Sequence, residues 1–179
     1  MRMYATTPRE EISVADIAAA ANMTSAALYY HYPTKEDVLL DGLTVFAETL
    51  VGEVVAFLRR ADASLADLPV HLLDWLERHH DSAAVWFAHS DGLSTAVEAL
   101  RRTTNERILA EIAKAVRSHC SDFSLPHASV VAAGLLAEIE VSARAWLTND
   151  PLCVAGREDE FRRAVAELGA QILSAPVPA

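Results

Sequence analysis

The sequence predicts an all-α fold, with a small N-terminal helical unit followed by a larger helical bundle. Three observations carry this. Apolar residues recur at spacings of three and four, with no sustained alternation of the kind a strand needs. Alanine is abundant while glycine is scarce, a composition that favours helix. The breakers Pro33, Pro69, Pro126 and Pro151 fall at intervals that leave helix-length segments between them. A chain of 179 residues buries roughly 70% of its unfolded surface on folding, so it needs no staple.

Taken in order, Ser13 caps a helix through Ala21, with Asp16 in its first turn and Val14, Ile17 and Ala21 on one face. Asn22 accepts the left-handed turn that follows. Thr24 or Ser25 caps a second short helix through about His31. Pro33 ends it, because a residue before proline resists helical angles. Thr34 caps a third helix with Glu36 and Asp37 at its start. Leu43, Phe46, Leu50, Val54 and Phe57 extend its apolar stripe toward Arg60.

"ADASLADL" reads as a turn, and a helix with Leu72, Leu73, Trp75 and Leu76 follows. After the short segment "SAAVWFAHS" come long helices from about Leu93 to His119 and from about His127 to Thr148. A last helix spans Arg157 to Leu173. The expected division is a head over residues 1–43, a helical body over 44–174 and a frayed tail over 175–179, where Pro176 and Pro178 prevent regular structure.

Several classes are disfavoured. No run reaches the ~18 apolar residues of a membrane span. "MRMYATTPREE" lacks the apolar stretch of a signal peptide, so the cytoplasm is the expected compartment. Cys120 and Cys153 have no metal-ligand spacing and read as buried reduced thiols. The net charge of −10 gives no general affinity for nucleic acid, so any DNA contact must be local.

Such a local site is legible at "TSAALYYHYPTK", Thr24 to Lys35. Tyr29, Tyr30, His31 and Tyr32 are consecutive, and neighbouring positions on a helix point in different directions, so some rings must face outward. Two short helices joined at "ANMT" form a helix-turn-helix candidate whose second helix would enter a major groove. Leu28 points inward with Ile17. Ser25, Ala26 and Ala27 lie at the leading end, where short side chains permit approach to base edges. Tyr29, Tyr30 and His31 offer donors to phosphates, and Lys35 adds charge at the next helix.

The stretch "SVADIAAAANMTSAALYYHYPTKEDVL", Ser13 to Leu39, resembles the tetracycline-repressor (TetR) family of bacterial transcription regulators. Its marks are "DIA" at Asp16 to Ala18, "LYYHY" at Leu28 to Tyr32, and Lys35. The resemblance implies a homodimeric repressor that binds a palindromic double-stranded DNA operator and lets go when a small-molecule effector enters the body. It implies base-proximal contacts at Ser25, Ala26, Ala27 and Tyr30. Phosphate contacts are implied at Ser13, Tyr29, His31 and Lys35, with Thr24 at the cap between the two sets.

Members of that family carry a complete helix before the Ser13 segment, for which only "MRMYA" stands here. The head is accordingly expected to be truncated, with apolar surface exposed around Ile17 and Leu28. A misassigned start, a shortened chain or loss of DNA binding would each produce this.

In the body, Trp75, Trp86, Phe87 and Trp146, with His79, His80 and His89, suggest a ring-lined pocket for an apolar ligand. Glu138, flanked by Leu135, Ile139 and Val141, is its candidate carboxylate, while Glu140 and Arg144 read as a solvated i,i+4 pair. Phe161, Val165, Leu168 and Ile172, with Ala164 and Gly169 beside them, form a stripe suited to close helix packing. The resemblance implies dimerisation there, through the last two helices.

Other functions fit less well. Glu77 and His80 have the spacing used in di-iron bundles, but no second pair accompanies them. No glycine loop or framed nucleophile points to an enzyme, and no cofactor is implied. Metal sensing through His79, His80 and His89 stays open, as does a bundle deficient in DNA binding that sequesters a ligand or partner.

Overall fold

A computed structural model describes residues 1–89, 94–119, 123–151 and 153–174. These form nine α-helices and two 3-10 turns, with no strand among them. The head consists of α1 (Arg2–Thr6), a 3-10 turn at Arg9–Glu11, α2 (Val14–Ala20) and α3 (Ser25–His31). The body follows as α4 (Lys35–Leu58), a 3-10 turn at Leu65–Asp67, α5 (Leu68–Arg78), α6 (His80–Phe87), α7 (Thr95–His119), α8 (Leu125–Leu147) and α9 (Glu158–Leu173).

Local chemistry sets the boundaries. Ser13 and Asp16 form a reciprocal capping box on α2: Asp16 N–H donates to Ser13 Oγ at 3.2 Å, and Ser13 N–H donates to Asp16 Oδ2 at 3.0 Å. Thr34 and Asp37 do the same for α4. Asn22 takes the turn between α2 and α3 with φ of 54°. Thr24, not Ser25, caps α3. Pro69 and Pro126 are not breakers. Each sits in the first turn of its helix, where a missing N–H costs nothing. Helix α8 therefore starts at Leu125 rather than His127, capped by Ser124, and α4 stops at Leu58, short of Arg60.

The main core runs along α4, α7 and α8. The α4 stripe Leu43, Phe46, Leu50, Val54 and Phe57 is wholly buried. Phe46 lies 5.6 Å from Trp75 and 5.8 Å from Trp86 between ring centroids. Helix α9 closes the far side against α8, α5 and the Leu65–Asp67 turn. Gly169 permits this approach: a Cβ there would stand 2.9 Å from the Ala66 carbonyl oxygen.

A second, smaller core lies in the head, formed by Ile12, Ile17, Ala18 and Leu28. The expected exposure around Ile17 and Leu28 does not occur. Met3, Tyr4, Val14, Met23, Tyr32 and Val38 cover them, the first two contributed by α1. Ile12 stands before the cap and Ile17 four residues after it, the arrangement of a hydrophobic staple that fixes how the chain enters α2. Tyr4 packs against both cores and ties head to body.

The cysteine expectation also changes. Cys153 is exposed in the turn before α9, its N–H donating to Asp150 Oδ1 at 3.0 Å. Cys120, Leu93 and the tail at 175–179 lie outside the described residues.

Candidate nucleic-acid interface

Helix α3 holds its position through its inward side chains. Leu28 is buried in the head core, and Tyr32, just past the helix, packs on the same core. The Tyr32 hydroxyl donates to Asp41 Oδ2 of α4 at 2.8 Å, which holds the phenol above its ordinary pKa. Tyr32 is thus the one ring of "YYHY" that turns inward. Tyr30 is 86% exposed and Tyr29 54% exposed, and His31 is exposed beside them. Tyr30 and His31 meet edge to face at 5.1 Å, so the two polar tips are held as a pair.

At the leading end Ala26 is exposed, while Ser25 and Ala27 are half-buried. Thr24 Oγ1 accepts from Ala27 N–H at 3.1 Å, which still leaves its hydroxyl proton to donate outward. Ser13 is exposed, but its Oγ is bonded to Asp16 Oδ2 at 2.5 Å. That bond holds the Asp16 carboxyl below its ordinary pKa.

Lys35 has a role the sequence reading missed. Its Nζ donates to the carbonyls of Arg9 at 2.9 Å and Ile12 at 3.0 Å, closing the 3-10 turn onto α4. Its own carbonyl accepts from the Tyr4 hydroxyl at 3.0 Å. An ammonium carries three donors, so one remains for a phosphate. Of the six acids in residues 1–43, Asp16 and Asp37 serve as caps and Asp41 holds Tyr32. A cap signal was available in the sequence for the first two; nothing local announced the link between Lys35 and Arg9.

The residues expected to line a ligand pocket do not share one. Trp75, Trp86 and Phe87 are buried in the packed core, and the cavity touching Trp86 and Phe87 is about 10 Å³, smaller than a ligand needs. Trp146 lies elsewhere, under the guanidinium of Arg162 at 4.3 Å and stacked on Phe161 at 6.0 Å. His79 is exposed and stacks on Trp75 at 4.1 Å, His80 lies near Asp81, and His89 lines a separate cleft beside the head. No group of three His, Cys, Asp or Glu among the described residues converges as a metal site.

Glu138 is buried, 6% exposed, but faces α9 rather than a ring-lined cavity. Neither of its oxygens has a hydrogen-bond partner among the described atoms. Burial raises its pKa to about 7, with the backbone of Gly169 drawing it the other way. Glu140 accepts from Asn105 Nδ2 of α7 at 2.7 Å.

The stripe on α9 is divided. Val165 is buried, Phe161 and Ile172 are half-buried within the chain, and Leu168 is 47% exposed. Two larger apolar side chains of α8, missed by the sequence reading, are more exposed still: Val130 at 72% and Val141 at 70%. Ala133 and Ala137 share their face. The available signal was that "SVVAAGLLAEIEVSARAW" carries apolar residues on more than one face, so one apolar side remains uncovered when the other is packed.

A helix-turn-helix head seated on an all-α body is the architecture of a DNA-binding transcriptional regulator. Residues 1–41 match the family described as "Bacterial regulatory proteins, tetR family", so the head is that of a TetR-family regulator. Over the whole chain the fold is similar to the crystal structure of a transcriptional regulator from Rhodococcus sp. Rha1. The TM-score is 0.70 and the identity 22%, covering 98% of this chain and 94% of that one. No curated protein matches the chain. No described helix is long and apolar enough to cross a membrane.

Proposed function

We propose that this protein is a ligand-responsive repressor, a homodimer that binds a palindromic operator through α3 and releases it when a small molecule binds. One observation carries the DNA contact: α3 presents Tyr29, Tyr30 and His31 outward behind a leading end of small side chains. In the bound state Ser25, Ala26, Ala27 and Tyr30 approach base edges. Ser13, Thr24, Tyr29, His31 and the remaining donor of Lys35 contact phosphates.

The dimer reading draws on the exposed face formed by Val130, Ala133, Ala137 and Val141 of α8 with Leu168 of α9. Of the four residues first expected to dimerise, Phe161, Val165 and Ile172 already pack inside the chain, so Leu168 is the one assigned to the partner.

The test is fluorescence anisotropy on DNA from upstream of the gene, at several stated salt concentrations. The head supplies few cationic groups, so saturable binding with a shallow salt dependence is expected. Only non-specific binding, equal on unrelated DNA, would favour the second reading, a bundle that sequesters a ligand without binding an operator. The preponderance of acids in the head is what supports that alternative.

A further inference from the structure

The strongest unassigned feature is a cleft of about 300 Å³ where the head meets the body. Its floor is apolar: Leu39 of α4, Val85 of α6 and the ring of Tyr4. Thr7 stands at its side, and its charged or titratable walls among the described residues are, besides Tyr4, Arg9 and His89. Among the described residues no carboxylate lines it, in a chain whose net charge is −10. The Arg9 guanidinium is close enough to lower the proton affinity of the Tyr4 hydroxyl, against the larger effects of burial and Glu36. By contrast, the cavity beside Trp86 in the body core is about 10 Å³.

We propose that this junction cleft is a binding site for a small amphipathic carboxylate, its apolar part on Leu39, Val85 and Tyr4 and its carboxylate toward Arg9 and His89. The assignment rests on the ligand-responsive reading above and gives that ligand a place and a chemical class. The volume lies at the lower end of ligand-sized sites, about 300 Å³ and upward.

The consequence for DNA binding follows from what the cleft joins. Tyr4 packs on both cores, and its hydroxyl bonds the Lys35 carbonyl at the start of α4. An occupant that displaces the Tyr4 ring changes how α2 and α3 sit on the body. A ligand shifts the head only by as much as it prefers the displaced arrangement.

The test uses the full chain, with 4-fluorobenzoate and neutral 4-fluorobenzamide as probes, followed by fluorine and amide NMR without DNA. Expected is saturable binding of the carboxylate at or below about 1 mM, with the amide weaker by about tenfold. The shifted amides should centre on Leu39, Val85 and His89. Thr7→Trp, which fills the cleft from its rim, should abolish binding, and Arg9→Gln should weaken it about tenfold, with helicity checked for each by circular dichroism.

Equal binding of acid and amide overturns the proposal. So do shifts centred on the α7–α8 groove or on Trp86, and so does no saturation by about 10 mM. Because the titration contains no DNA, its failure leaves operator binding by the free protein intact, and failure of operator binding leaves the titration readable.

Discussion

Glu138 of α8 presses its carboxylate against the backbone of Gly169 in α9: a Cβ on Gly169 would stand 3.5 Å from Glu138 Oε2. The amide there belongs to the α9 ladder, so the carboxylate gains little from it, and burial raises its pKa from 4.5 to about 7. The folded protein therefore holds a proton that the unfolded chain releases at lower pH. Stability from this group is fully present below the unfolded value and is lost as pH rises through about 7. Glu138→Gln should remove that loss, stabilising the protein by up to about 3 kcal/mol at alkaline pH. Thermal melts of both proteins at about pH 5 and pH 8 measure it. Parallel pH dependence in the two would show that the carboxylate reaches water.

Gly169→Ala should destabilise despite the better helix propensity of alanine. The added methyl meets the Ala66 carbonyl, a backbone atom that cannot swing aside. A loss of about 1–3 kcal/mol in urea unfolding is expected. Gly42→Ala is the control. Its methyl meets Met1 Sδ, the far end of a flexible side chain, and its effect should be small.

Tyr30→Ala and Tyr32→Phe should separate contact from scaffold. The exposed Tyr30 ring contributes little to folding, so its loss should leave Tm nearly unchanged and weaken operator binding in the anisotropy titration. Tyr32→Phe removes a hydroxyl bonded to Asp41 and should cost about 1 kcal/mol of stability. The reverse pattern would mean that the outward rings have been assigned to the wrong task.

Lys35→Met should loosen the head before it touches DNA. Two carbonyls lose their donor, so amide exchange should accelerate around Arg9 to Ile17. If exchange there is unaffected and only operator affinity falls, the ammonium acts on phosphate alone.

Leu168→Glu and Val141→Glu each place a charge on the exposed α8–α9 face and should yield monomers in equilibrium sedimentation, with helicity retained. Dimers persisting in both variants would move the interface elsewhere.

The helices were legible because their signals are local: Ser13, Thr24 and Thr34 announce caps, Asn22 announces a left-handed turn, and the α4 stripe keeps its period through Phe57. The outward rings of α3 followed from adjacency alone. The pocket was not legible, because aromatic side chains at helical spacing read the same whether they pack a core or line a cavity. Only the placement of Phe46 between Trp75 and Trp86 separates the two. The link from Lys35 to Arg9 depends on two segments 26 residues apart meeting, which no periodicity encodes. Ile12 was a missed signal, since an apolar residue just before a cap and another four beyond it could have been paired from sequence.

The double attachment of Tyr4 bears on modularity. The head encloses few side chains of its own, and part of its seal is shared with the helices beneath. Residues 1–43 cut free would lose the seat that α1 has on α6. Chimaeras that graft this reader onto another bundle would need to transplant the matching surface of α6 with it, making the boundary for exchange a contact in space and not a position along the chain.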